Sequence, residues 1–338
     1  MKQIRNIAME EIKTAEDIRE LASGFQLSRV LLSAIELKIF TILHKHLMTA
    51  EEVAEKIGAD ARAVDRLMNS LCGIGFLKKV HGKFYNTDLS INYLVESSPS
   101  FMGNLFHTNH LWHSWSQLTE SVRIGSSNRG DQNKSEKKDW VEAFIAAMHF
   151  RGVRQGELLS FMLDFKNVKK MMDVGGGSAA FSMQFVKRNP SMQVTLLDLP
   201  HVIPLTKKYV EKEGLEGNFS YLEGDYLTAD FGSGYDLIFL SAIIHINSYE
   251  QNKNLVQKCV DALSENGTIV ISDLVMSEDR VQPIRGAFFA LNMLVGTECG
   301  DTYTEKEITE WFLSAGISNV ERKNTSFGSD LMIGSKQP

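Results

Sequence analysis

A chain of 338 residues, 43% hydrophobic and 23% charged, has the balance of an ordinary folded protein and the length of about two domains. Its formal net charge of −6 argues against a nucleic-acid partner, because neutralising phosphates needs a clustered excess of Lys and Arg. Cys72, Cys259 and Cys299 stand far apart and never as a C-x-x-C pair, which fits free thiols in a reducing cytosol better than a disulfide framework or a zinc site. The opening segment carries acidic residues and no apolar core, unlike a secretory signal. The most apolar runs, such as 237–246, are too short to span a bilayer. The expectation is a cytoplasmic protein with no membrane partner.

Within 25–43, Leu27, Val30, Leu31, Ala34 and Leu37 recur at three- and four-residue steps, as on one helix face. Thr49 and Glu52 make a capping-box start for a helix from Ala50 to Ile57, ended by Gly58. A second helix runs from about Ala61 to Ile74. Residues 76–80, the turn 81–83 and Phe84-Tyr85 read as strand, turn and strand. Helix, turn, helix and hairpin form a winged-helix pattern over residues 1–100. The second helix offers only Arg62 and Arg66 against Asp65, a poor face for phosphates. A winged-helix regulator is therefore the weaker reading of this half.

Residues 101–165 are helical and aromatic, with Phe101, Phe106, Trp112, Trp115, Trp140, Phe144 and Phe150. The polar stretch 125–138 within them reads as an exposed loop. His107, His110 and His113 have helical spacing but no acidic or Cys partner nearby, so they read as helix-face residues and not as a metal site. This segment is assigned as a linker that also lines a substrate pocket.

Over 166–338 the pattern becomes strand and helix in alternation. Strands are predicted at 171–174, 193–198, 219–223, 236–240 and 268–273, and helices at 179–187, 202–213, 250–263 and 304–315. Residues 319–335, broken at 326–330, read as a terminal antiparallel hairpin. The fold class is α/β, a Rossmann-like, doubly wound and mostly parallel sheet that binds its ligand at the carboxyl ends of the strands.

Residues 173–180, DVGGGSAA, follow the first of these strands and open a helix. Gly175 and Gly177 allow a tight turn and a close approach of backbone to ligand. The spacing of Gly175, Gly177 and Ala180 also satisfies the dinucleotide fingerprint, and a plain strand-to-helix turn would look the same. Charge separates the cofactors. The loop from Gly175 to Ser182 has no Lys or Arg, and Asp173 stands at its entrance, where a carboxylate repels a pyrophosphate but favours an ammonium and a sulfonium. Asp198 ends the second strand, where it can accept ribose hydroxyls, and Asp225 ends the third, where it can accept from an adenine amino group beside Tyr226. Leu199 and Ser241, at the ends of the second and fourth strands, complete the cofactor-facing set. Acids on successive strand ends favour S-adenosylmethionine over a nicotinamide dinucleotide.

These residues, with Asp198-Leu-Pro-His-Val-Ile203, His245 and Thr304-Glu-Lys-Glu307, resemble the small-molecule S-adenosylmethionine-dependent O-methyltransferases that include the caffeate and hydroxyindole enzymes. The resemblance runs in order from about Phe25 to the C-terminus. It implies that the N-terminal winged helix serves homodimerisation and that 166–338 is the cofactor-binding domain. Ala179 stands where that family usually has a third glycine.

A phenol-like hydroxyl titrates near pH 10, so methylating it at neutral pH benefits from a base, and histidine is the natural one. His245 lies just after the fourth strand, and the resemblance makes it the base that deprotonates the acceptor. Ile246, Asn247, Ser248, Tyr249 and Glu250 follow it, where related enzymes usually have Asp-Trp and then Ser-Asp-Glu. Of the family's two acidic positions that orient the histidine, one corresponds to Asp273 and the other to the uncharged Thr302, for which Asp301 or Glu298 are substitutes. The acceptor pocket is assigned to Trp140, Phe144, Met148 and His149 on one side and to Phe288, Phe289, Asn292 and Met293 on the other. The expected activity is methyl transfer to a hydroxyl of a small aromatic or polyketide-like metabolite, with N- or C-methylation or a non-methylating reaction as alternatives.

Overall fold

The computed structural model describes residues 12–128 and 136–337. The chain divides into two compact units, Met1–Trp112 and His113–Pro338.

The first unit contains helices α1 (Ala15–Ser23), α2 (Phe25–Glu36), α3 (Ile39–Ile42), α4 (Ala50–Ile57) and α5 (Ala61–Gly73). They are followed by strands β1 (Leu77–Val80) and β2 (Lys83–Asn86), helix α6 (Asp88–Leu94) and most of α7 (Asn104–Trp115). The amphipathic stretch 25–43 is two helices and not one. Lys38 turns left-handed at φ 54°, which lets Ile39 and Phe40 reach the core, 0% and 1% exposed. Thr49 and Glu52 form the expected capping box of α4, and Gly58 ends it in the left-handed region. His81 and Gly82, both at positive φ, turn β1 antiparallel onto β2. Phe40, Val53, Met68, Leu71, Leu77 and Phe84 join these elements in one apolar core.

The second unit begins with α8 (Leu118–Ile124) and α9 (Glu136–Met162). Of the stretch 125–138 expected to be a loop, 129–135 lie outside the described residues and 136–138 already belong to α9. Strand and helix then alternate: β3 (Lys170–Val174), α10 (Ala180–Arg188), β4 (Gln193–Asp198), α11 (Ile203–Lys212), β5 (Phe219–Glu223), β6 (Tyr235–Ser241), α12 (Tyr249–Ala262) and β7 (Leu263–Asp273). The remaining elements are β8 (Val275–Met276), α13 (Ile284–Gly296), β9 (Tyr303–Thr304), α14 (Glu305–Ser314), β10 (Asn319–Lys323) and β11 (Asp330–Ser335).

Seven strands form one sheet in the order β10-β11-β7-β6-β3-β4-β5. The five from β3 to β7 are parallel, and the terminal hairpin adds two antiparallel strands beside β7. The hairpin belongs to the sheet because Leu331 and Met332 are both fully buried there. Phe185, Phe239 and Val270 anchor one apolar cluster, and Val256, Trp311 and Phe312 anchor another.

Register places the functional positions. Val174 pairs with both Leu197 and Leu240, Asp198 with Glu223, and Ser241 with Ser272. The residues that follow β3, β4, β5, β6 and β7 therefore share one edge. Strand order reverses between β3 and β6, the place where open α/β sheets leave a ligand crevice. Gly175 and Ile243 meet there, so closely that a Cβ on Gly175 would lie 2.3 Å from Ile243 Cδ1.

Candidate active site

The glycine loop after β3 is held by its own backbone and by hydroxyls. Gly175 and Gly177 take φ of +64° and +56°, a region that side chains disfavour. The Gly175 N–H donates to Leu197 O (2.8 Å), the Gly177 N–H donates to Asp198 Oδ2 (2.8 Å), and Thr206 Oγ1 donates to Gly177 O (2.5 Å). Ala179 is also left-handed at φ 61° and is fully buried, packed with Met183, Leu196, Ile203 and Val210. Its methyl group therefore takes no clearance from a ligand. Its cost is backbone strain, roughly 1–2 kcal/mol.

The three strand-end acids differ in what they face. Asp173 is buried at 3% exposure, accepts a hydrogen bond from Ser182 Oγ (2.6 Å), and lies under Gly176. Burial raises its pKa to about 7 despite the Ser182 hydroxyl, with Asp198 adding to the rise. Asp173 thus lies beneath the loop and not at the crevice mouth, which corrects the position expected of it. Asp198 is half-buried, and its oxygens accept the N–H groups of Gly177 and Leu199 (2.7 Å). Burial raises its pKa, against the pull of those two donors. Asp225 is exposed and accepts the Leu227 N–H (2.8 Å) through Oδ1 alone. Beside it the Tyr226 hydroxyl donates to Asn247 Oδ1 (2.9 Å), and burial first, then the neighbouring Asp225 and Asp198, raises the phenol to about 12. Leu199 is exposed at the end of β4, and Ser241 is half-buried at the end of β6.

Across the crevice, His245 sits on the 3₁₀ turn Ile244–Ile246. Its Nδ1 lies 2.9 Å from both carboxylate oxygens of Asp273, which is 4% exposed and also accepts the Leu274 N–H (2.8 Å). An ionised carboxylate accepts only, so this contact assigns the ring proton to Nδ1 and the lone pair to Nε2. The Phe289 ring stands edge-on to the imidazole, with centroids 4.8 Å apart. Asp301 does not serve as a second acid on the imidazole. Its carboxylate faces Arg280 (3.5 Å), while its N–H donates to the His245 carbonyl (3.1 Å). Glu298 is exposed, and Thr302 is buried with its carbonyl taken by Arg280.

Residues 130–318 match the model of the O-methyltransferase domain, and residues 19–96 match that of the O-methyltransferase dimerisation domain. The chain belongs to the O-methyltransferase family. It is 30% identical to the 3-hydroxy-5-methyl-1-naphthoate 3-O-methyltransferase of Streptomyces sahachiroi, over 90% of this chain and 89% of that one. It is 27% identical to the acetylserotonin O-methyltransferase of Gallus gallus, over 97% and 99%. Among solved structures, PigF with SAH shares the fold at a TM-score of 0.87, with 23% identity over 96% of this chain and 100% of that one. The family is S-adenosylmethionine-dependent, so the nicotinamide reading falls. No helix among the described residues is long and apolar enough to cross a membrane.

The crevice of this O-methyltransferase fits its cofactor. Two left-handed glycines open the backbone, residues 175–182 include no Lys or Arg, and Asp225 is exposed just beyond the end of β5.

The expected acceptor walls are redistributed. On α9, Ile145, His149, Gly152 and Gly156 form one face. A Cβ on Gly152 would touch Ala180, and one on Gly177 would lie 3.7 Å from Ile145. His149 therefore faces the glycine loop, hydrogen-bonded to Ser178 Oγ (2.9 Å) and stacked on Tyr209 at 4.0 Å, which corrects its placement on the acceptor wall. Burial lowers its pKa, partly opposed by Glu213. Phe144 and Met148 are half-buried, and Trp140 lies outside the residues whose side chains are described. On α13, Asn292 Oδ1 accepts from Trp115 Nε1 (3.0 Å), and Met293 is buried and belongs to packing. Sequence reasoning missed Tyr209, Thr206, Ser182, Asn252 and Tyr303. Hydroxyls and amides carry no spacing signal, so only the fold reveals their partners.

Proposed function

We propose that this enzyme methylates a hydroxyl of a small aromatic or polyketide-like metabolite, with His245 as general base and Asp273 as the group that orients it. The observation that carries this reading is the 2.9 Å contact of His245 Nδ1 with the Asp273 carboxylate. With its proton held on Nδ1, the ring offers Nε2 to the acceptor hydroxyl. Proton transfer from that hydroxyl to Nε2 raises the nucleophilicity of its oxygen, and Asp273 stabilises the imidazolium formed. Bound in the crevice, S-adenosylmethionine supplies an electrophilic methyl group on a sulfonium. Gly175 and Gly177 would give the backbone clearance for it, and Asp198 and Asp225 would supply acceptors for its hydroxyl and amino groups. Phe289, edge-on to the imidazole, gives the acceptor side an apolar wall, which Phe144 and Met148 on α9 extend in this reading. Relatives named for a naphthoate and for acetylserotonin support an aromatic acceptor.

The division proposed for the chain is dimerisation by 1–100, linker and pocket lining by 101–165, and cofactor binding by 166–338. In this reading the enzyme works as a homodimer in the cytoplasm. The test is His245→Ala. Turnover with a phenolic acceptor should fall by roughly 10²–10⁴-fold, while S-adenosylhomocysteine affinity measured by calorimetry stays within a few-fold. Unchanged turnover would remove His245 from the mechanism.

A further inference from the structure

Below the crevice lies a chain of buried amides that the proposed reaction does not yet use. Asn247 is 3% exposed and Asn252 is fully buried. The Tyr226 hydroxyl donates to Asn247 Oδ1 (2.9 Å), Asn247 Nδ2 donates to Asn252 Oδ1 (3.0 Å), and Asn252 Nδ2 donates to the Ile244 carbonyl (2.8 Å). The Tyr303 hydroxyl donates to the Asn247 carbonyl, and Lys258 Nζ donates to the Tyr226 carbonyl (2.7 Å). Every hydrogen bond in the relay from Tyr226 to Ile244 points the same way, so the orientation of each amide is determined by its neighbour. One end of the relay is the tyrosine after β5, beside Asp225. The other end is the carbonyl next to His245.

We infer that Asn247 is a positioning residue that ties the cofactor edge at Tyr226 to the turn carrying His245. The inference rests on the proposed reading of His245 as the base. The Asn247 amide is satisfied on one side by the Tyr226 hydroxyl and on the other by the Asn252 side chain. Burial of two amides is tolerated only because each finds partners. Loss of the Asn247 side chain removes the hydrogen-bond partner of both the Tyr226 hydroxyl and Asn252 Oδ1. The same turn is also held by the Asp301 N–H on the His245 carbonyl (3.1 Å), the Ile246 N–H on the Ile243 carbonyl (3.1 Å) and the Asn247 N–H on the Ile244 carbonyl (3.3 Å).

The test uses the full chain with ¹⁵N-labelled histidine and S-adenosylhomocysteine as the probe. His245 ring signals are assigned by their loss in His245→Ala. Asn247→Leu should weaken probe binding by about ten-fold, the scale of one buried hydrogen bond, and displace the His245 ring signals. Tyr226→Phe removes a single hydroxyl at the far end of the relay and should move the same signals. In the double variant, Tyr226→Phe should add nothing further, because its partner is already gone. Native His245 signals in Tyr226→Phe, or additive effects in the double variant, overturn the inference. If Asn247→Leu does not fold, Tyr226→Phe alone decides by the same signals. Failure of the base reading shows instead as retained turnover in His245→Ala, a separate measurement.

Discussion

Asp173, next to the last residue of β3, and Asp273, the last residue of β7, belong to one sheet, and both are buried, at 3% and 4% exposure. Their surroundings make them different groups. Asp173 meets one hydroxyl and the underside of a glycine loop, and burial dominates its chemistry. Asp273 meets a backbone N–H and an imidazole nitrogen, two donors that suit a charged carboxylate. Burial alone does not make a carboxylate functional. What matters is whether the donors around it stabilise the charge and pass that stabilisation to a reacting group.

The sharpest way to break this comparison is Asp273→Asn. Leu274 N–H keeps one oxygen in place, so an amide N–H replaces the other of the two oxygens facing Nδ1, and the ring loses both the charge of its partner and half of the acceptor for its Nδ1 proton. Turnover should fall on the order of 10²–10³-fold with the cofactor still bound. Activity near the native level would show that Asp273 does not orient the base.

Asp173→Asn tests the other side through stability. The folded pKa of Asp173 is raised from 3.8 to about 7, so between these values the folded state binds more protons than the unfolded one. Native stability should therefore decline as pH rises from about 4 to about 7 and level off above it. The variant lacks this titration, so the difference in its favour grows across that window, to at most about 4 kcal/mol. Denaturant unfolding of both proteins from pH 4.5 to 8 measures it, and parallel profiles would mean that Asp173 is ionised in the fold.

The smallest effect belongs to Ala179→Gly. Glycine relieves the left-handed strain but loses a buried methyl and gains unfolded-chain entropy. The net change should stay within about 1 kcal/mol, with cofactor affinity unchanged, since the methyl points into the core. A several-fold gain in affinity would show instead that the methyl crowds the ligand.

Periodicity and punctuation made much of the fold legible. The five parallel strands, their crossover helices and the terminal hairpin appear where alternation, glycines and caps place them. Some boundaries move: β7 starts at Leu263 and not near Thr268, and 25–43 breaks at Lys38. The short parallel pair of β8 and β9 has no local signature at all, because two-residue strands are made by their partners.

At the candidate site, the positions of the glycine loop, the acids and His245 at or just beyond strand ends were readable, because the parallel register aligns those ends. Which way each side chain turns was not. His149 has the same helical spacing for a pocket wall as for a loop contact, and only the packing of α9 on α10 at Gly152 and Gly156 chooses between them.

From residue order alone came the parallel architecture, the acidic edge and a histidine beside it, since these follow from local pattern and chain direction. The partnership of His245 with Asp273, the burial of Asp173 and the relay from Tyr226 to Ile244 were decided by tertiary structure. Their hydrogen bonds join residues 5 to 28 positions apart in sequence through distances that only the packed structure defines.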